Sequence, residues 1–116
     1  MIVGVQGTSN FNDYQVFLRA MGVALSSLKE DDAYFYLYSA GPSRINSMVS
    51  EFVNLSERGM KSRGKKIKFY KVPPSWIEEN IQSVDYLAFM SLPKESVSKL
   101  VETAQVNNVE VGIYRY

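Results

Sequence analysis

Chemistry in a protein starts from the side chains able to do it, and two of the commonest are missing from this 116-residue chain. It has no histidine and no cysteine. The absence of cysteine excludes disulfides, thiolate metal sites and thiol nucleophiles, and the absence of histidine removes the usual base near neutral pH and the usual zinc ligand. Any catalysis would need carboxylates, and the candidates beside turns are Asp13 and Glu95. Both read more simply as acids in the first turn of a helix, where they cap or complement the dipole. No carboxylate pair is spaced for acid–base work. The expectation is therefore no catalytic residue, no metal and no cofactor.

What remains is binding chemistry. An apolar run, Ile2 to Gln6, ends in Gly7-Thr8-Ser9-Asn10, and Asn12 or Asp13 can cap the helix that follows. Such a turn offers backbone amides at Gly7, the hydroxyls of Thr8 and Ser9, and the carboxamide of Asn10. A second turn carries Ser39, then Gly41-Pro42-Ser43, with Ser43 as a helix N-cap and Arg44 and Asn46 just inside. Helix N-termini bear partial positive charge and unpaired N–H groups, and Arg44 could add a two-pronged contact to phosphate. The same residues also suit ordinary strand-to-helix turns. Neither turn is a P-loop, because no Gly-Lys-Ser/Thr follows, and the glycine spacing of the dinucleotide fingerprint is missing.

The elements that must position these turns alternate strictly. Helical spacing links Phe17, Ala20, Met21, Ala24, Leu25 and Leu28. A strand is expected over Ala33 to Ala40, and a second helix has Ile45, Met48, Val49, Phe52 and Val53 on its apolar face and Gly59 as its end. A third strand covers Ile67 to Val72, and a short helix runs from Trp76 to about Gln82 after Pro73-Pro74. The fourth strand is Tyr86 to Met90. A fourth helix, led in by Ser91-Leu92-Pro93, shows Val97, Leu100, Val101 and Ala104, and the last strand is Val109 to Tyr114. The order βαβαβαβαβ implies an α/β Rossmann-like three-layer sandwich: a five-stranded, mostly parallel sheet with four helices, filling residues 1–116 as one domain. Ligands of such sheets bind beyond the carboxyl ends of the strands.

Two further clusters stand out. Arg58, Lys61, Arg63, Lys65, Lys66, Lys68 and Lys71 crowd one stretch of a chain whose net charge is only +1. The Lys61–Lys71 region could contact a nucleic-acid backbone, or simply guard an edge strand against pairing with another sheet. The tyrosines, among them Tyr34, Tyr36, Tyr38, Tyr86, Tyr114 and Tyr116, suit packing and interfaces. Tyr114 and Tyr116 on the last strand suggest a self-association edge, hence a homo-oligomer. No apolar run is long enough to cross a bilayer and no leader or lipidation signal is visible, so a cytoplasmic protein without membrane contact is expected.

Several stretches resemble the YspA-like branch of the SLOG superfamily. Gly7-Thr8-Ser9-Asn10-Phe11-Asn12-Asp13-Tyr14 is similar to its first motif, and Ser39-Ala40-Gly41-Pro42-Ser43-Arg44-Ile45-Asn46 to its second. Val72 to Trp76 and Asp85 to Phe89 resemble later segments in the same order. The resemblance implies a Rossmann-like domain that binds a nucleotide or nucleotide derivative, of a kind found in bacteria and their phages. The ligand-binding set is then Gly7, Thr8, Ser9, Asn10, Gly41, Ser43, Arg44 and Asn46. Relatives carry an arginine where Ser9 or Asn10 stands and an acid where Asn46 stands. The Pro-Gly-Gly-x-Gly-Thr-x-x-Glu motif of nucleoside-phosphate-cleaving relatives is absent. Binding without catalysis is expected, with an interaction module, a phage accessory protein for instance, and a nucleoside-processing hydrolase as alternatives.

Overall fold

The computed structural model describes residues 1–115. It builds β1 (Ile2–Gly7), α1 (Tyr14–Ser26), β2 (Tyr34–Ser39), α2 (Ser43–Ser62), β3 (Lys66–Lys71), α3 (Pro74–Glu79), a 3-10 turn at Ile81–Ser83, β4 (Tyr86–Ser91), α4 (Lys99–Val106) and β5 (Glu110–Arg115). The strands lie side by side in the order β3-β2-β1-β4-β5, and every pairing is parallel. The chain therefore winds outward from β1 to one edge, returns, and winds outward to the other. This is the Rossmann-like three-layer arrangement, with its switch point between β1 and β4. Among the described residues no helix is long and apolar enough to cross a membrane.

Buried residues line both faces of the central strands. On one face α1 and α2 pack Phe17, Ala20, Met21, Ile45, Val49 and Phe52 against Val3, Val5, Phe35, Leu37, Ala88 and Met90. On the other, α3 and α4 pack Ile77, Leu100, Val101 and Ala104 against Leu87 and Phe89. β4 is buried along its whole length, which is why Tyr86-Leu-Ala-Phe-Met reads as an unbroken apolar run rather than an alternation. β2 instead alternates: Phe35, Leu37 and Ser39 are buried while Tyr34 is exposed and Tyr36 and Tyr38 are half-buried.

Element ends differ from expectation for local reasons. The Asp13 side chain does cap α1, accepting the Val16 N–H at 3.1 Å. Ser43, expected as the cap of α2, lies inside the first turn, and Pro42 occupies the N-cap without any side-chain cap. α2 also runs past Gly59 to Ser62, because Met60 continues its buried face and Gly64 supplies the left-handed turn (φ 71°) that ends it. The fourth helix begins only at Lys99, so Glu95 and Val97 lie in the preceding loop. The short helix stops at Glu79, and the 3-10 turn takes over Ile81 to Ser83.

One glycine is fixed by space rather than by backbone angle. A Cβ on Gly7 would stand 2.8 Å from Ile45 Cδ1, 2.9 Å from Ile45 Cγ1 and 3.0 Å from the Met90 carbonyl oxygen. Gly22, inside α1, has nothing within 4 Å of such an atom. Gly7→Ala should therefore destabilise by about 1–3 kcal/mol through overpacking. Gly22→Ala should stabilise by up to about 1 kcal/mol through helix propensity. Urea unfolding of the two variants should give shifts of opposite sign.

Candidate functional site

Parallel register brings the ends of β1, β2 and β4 to one edge: Val5 pairs with Ser39 and Gly7 with Met90. The loops leaving these strands are stitched together by main-chain bonds. The Gly7 N–H donates to the Gly41 carbonyl at 3.0 Å, and the Thr8 N–H donates to the Met90 carbonyl at 2.9 Å. The Gly41 N–H donates to the Ser39 hydroxyl at 3.3 Å. Thus the two turns singled out from sequence do converge, but the Gly7 amide expected to be free for a ligand is taken, as is that of Thr8. They hold the loops together instead.

Gly41 adopts φ 86°, a conformation that favours glycine, and precedes a cis peptide bond to Pro42. The chain then enters α2, whose 20 residues start with no side-chain cap. Ser43 and Arg44 are exposed on this first turn. Asn46 lies one turn in, its N–H donating to the Pro42 carbonyl at 3.0 Å. Its Oδ1 is buried and has no hydrogen-bond partner among the described residues. The Ser91 hydroxyl, at the end of β4, is likewise buried without a partner. Buried polar atoms are nearly always paired, so two orphans on the same sheet edge mark an unusual place.

Glu95 is the residue that sequence reasoning assigned to the wrong element. Its loop position lets the carboxylate accept from the Thr8 hydroxyl, from the Leu92 N–H at 3.0 Å and from the Asn10 carboxamide at 3.4 Å. It latches the β4–α4 loop onto the β1–α1 loop, across the switch point. The Thr8 bond, followed by the Leu92 amide, holds its carboxyl below the usual carboxylate range. Beside it, the Ser98 hydroxyl donates to Gln6 Oε1 instead of capping α4. A strand residue as polar as Gln6 or Ser91, ending an otherwise apolar run, was the available signal for this second set.

Electrostatically the site has two halves. The α2 half offers an uncapped helix start and the Arg44 guanidinium, and the Thr8 half offers an ionised carboxylate. An anion fits the first and is repelled by the second, whereas a neutral hydroxyl donor fits the second. The two candidate carboxylates are both committed, Asp13 to Val16 and Glu95 to Thr8, Asn10 and Leu92.

The other sequence clusters divide. Lys65 is buried, and its ammonium donates to the carbonyls of Lys29, Glu30 and Asp32 at 3.0, 2.9 and 2.5 Å. It closes the α1–β2 turn and is not available to a polyanion, unlike the exposed Lys61, Arg63, Lys66, Lys68 and Lys71. β3 is an edge strand, as the lysine alternation suggested. Tyr114, expected to serve a self-association edge, shares a hydrogen bond with the Tyr86 hydroxyl at 2.5 Å, in space that a side chain on Gly112 would fill. Tyr116 lies outside the described residues.

The depressed Glu95 carboxyl sets a pH dependence. Its folded affinity for protons is lower than its unfolded one, so the latch contributes fully above the ordinary glutamate range, about pH 4.3, and is lost as pH falls through the folded value. The melting temperature of the parent should fall towards that of Glu95→Gln on acidification from neutral pH, with the gap between them closing. A constant gap across that range would mean that the carboxylate is not what latches the loops. Comparison with known proteins adds no relative: no family model, no curated protein and no solved structure matches this chain.

Proposed function

We propose that this chain is a small SLOG-like module that binds a nucleotide or nucleotide-derived ligand at the carboxyl edge of its sheet, without catalysing a reaction. The observation that carries the reading is the uncapped start of α2, with exposed Ser43 and Arg44, beside the buried and unpartnered Asn46 Oδ1. A phosphate belongs on the first turn of α2, against Ser43, Arg44 and Gly41. A donor group of the ligand belongs on Asn46 Oδ1. The Thr8–Ser9–Asn10 loop with Glu95 suits the uncharged, hydroxyl-bearing part, since a carboxylate there repels a second anion. Bacterial or phage origin and a cytoplasmic setting accompany this reading.

A second reading is favoured by the closure of the Gly7 and Thr8 amides: an interaction module that keeps the fold, self-associates and takes no ligand. The two separate in one experiment. A panel of nucleoside mono- and diphosphates and cyclic dinucleotides is screened by thermal shift, with the parent nucleosides and inorganic phosphate alongside. At about a hundredfold excess over Kd a ligand stabilises by ~2.7 kcal/mol, a rise on the order of 10 °C for a domain of this size. The rise should vanish in Arg44→Ala and shrink for the nucleoside lacking phosphate. No shift with any phosphorylated compound, together with a stable oligomer by sedimentation, establishes the second reading in its place.

A further inference from the structure

In a doubly wound sheet helices normally cover both faces, and here, among the described residues, part of one face has no helix over it. The connection from β3 back to β4 contains only the six-residue α3 and a 3-10 turn. α3 sits over the centre of the sheet, where Ile77 side-chain atoms lie 3.6 Å from the Cβ position of Gly4. On that side α3 reaches only the Tyr38 end of β2, through Trp76, and among the described residues no helix covers β3 or the Tyr34 end of β2. Parallel register puts Tyr34 beside Lys66, Tyr36 beside Lys68 and Tyr38 beside Tyr70 on this face.

The aromatic rings form a continuous ladder. Tyr34 and Tyr36 are 4.5 Å apart between ring centroids, Tyr36 meets Tyr70 edge-on at 5.7 Å, Tyr70 stacks on Tyr38 at 4.7 Å, and Tyr38 stacks on Trp76 at 4.3 Å. Tyr34, at the open end, is 37% exposed. Rings packed in this way hold one another upright, so their edges, which carry the positive part of the ring quadrupole, and their hydroxyl donors remain for a partner.

Positive charge is concentrated beside this face, around the end of α2 and along the β3 edge. The segment Arg58 to Lys71 holds seven of the chain's 13 cations and none of its 12 acids, leaving six cations for all the acids elsewhere. Lys65 is consumed internally, but Lys66 and Lys68 are exposed on the ladder's face, and they wrap the β3 edge to line, with Lys61 of α2 and Ile67, a groove of about 410 Å³ on the opposite, α2 side. Glu57 is the one acid lining it. A second copy of the chain would bring its own lysines against these, so self-pairing along β3 is opposed. A partner with regularly spaced negative charge and flat π-surfaces is complementary to both features.

The geometry points to a single-stranded nucleic acid as the occupant of this face, with phosphates on Lys66 and Lys68, and bases against Tyr34, Tyr36, Tyr70 and the exposed rim of the ladder. Tyr34 to Tyr38 spans ~13 Å of strand, room for about two or three bases. This surface lies on a sheet face, not at the carboxyl edge, and does not depend on the nucleotide reading above.

Fluorescence anisotropy with labelled oligo(dT) and oligo(U) of about twelve nucleotides tests it, with a duplex of the same length for comparison. Both single strands should bind more tightly than the duplex, and the ratio of the two tells DNA from RNA as the preferred form. The log–log salt slope should be about −0.7 per phosphate contacted. Tyr34→Ala, Tyr36→Ala and Tyr70→Ala should each lose about tenfold in affinity, while Tyr36→Phe, which keeps the ring and removes one donor, loses less. Lys66→Glu with Lys68→Glu should lower both affinity and slope, and Arg19→Glu on α1 should change neither. Circular dichroism and cooperative melting certify each variant, and the exposed Tyr34 keeps the test open if an inner ring proves necessary for folding. Three results overturn the proposal: no binding at low salt, binding indifferent to the tyrosines, or a dimer that the tyrosine variants dissociate while no oligonucleotide binds.

Discussion

The carboxyl edge of this sheet is organised around a missing side chain. Because Gly7 has no Cβ, Ile45 of α2 and the main chain of β4 can both close on the end of β1, and the Gly7 N–H can reach the Gly41 carbonyl. That approach fixes where α2 starts relative to β1. It therefore fixes where Ser43, Arg44 and Asn46 stand relative to the Thr8 loop. A methyl group there would push against the fully buried Ile45 side chain and a main-chain carbonyl at once, and neither has free space to move into.

The same close packing explains why the site is mixed in sign. Glu95 is pulled over the switch point by three donors, two of them from the β1–α1 loop that Gly7 anchors. The start of α2, without a cap, keeps its positive end facing outward. Backbone amides that a generic phosphate turn would present are here occupied in joining one loop to the next. Recognition then depends on side chains and on the helix start, not on a glycine-rich cradle.

The bare part of the sheet has an equally simple origin. A six-residue helix cannot cover two strands as well as the centre of the sheet, and α3 spends its one buried residue, Ile77, over Gly4 and Leu87. Trp76 lies on Tyr38, so β3 and the Tyr34 end of β2 are left with one covered face and one open face. The open one is filled with tyrosine and lysine, residues whose apolar bodies pack and whose polar ends remain in water.

Periodicity determined the fold. The apolar runs of β1 and β4, the helical spacing in α1 and α2, and the alternation of Lys66, Ile67, Lys68 and Phe69 each reflect a burial pattern that local sequence must obey, so strand count, order along the chain and parallel class were legible. The Asp13 cap was legible too, because a cap is a contact over three residues. What the sequence could not show depends on contacts between residues far apart in it. Thr8 and Glu95 are 87 positions apart, and only the pairing of β1 with β4 makes the carboxylate a latch rather than a helix-start charge. Lys65 looked like one more surface cation until the fold laid the α1–β2 turn across it. The tyrosines of β2 showed their alternation in sequence, but whether a helix covered them was decided by where α3 packs, and that is a property of the assembled sheet.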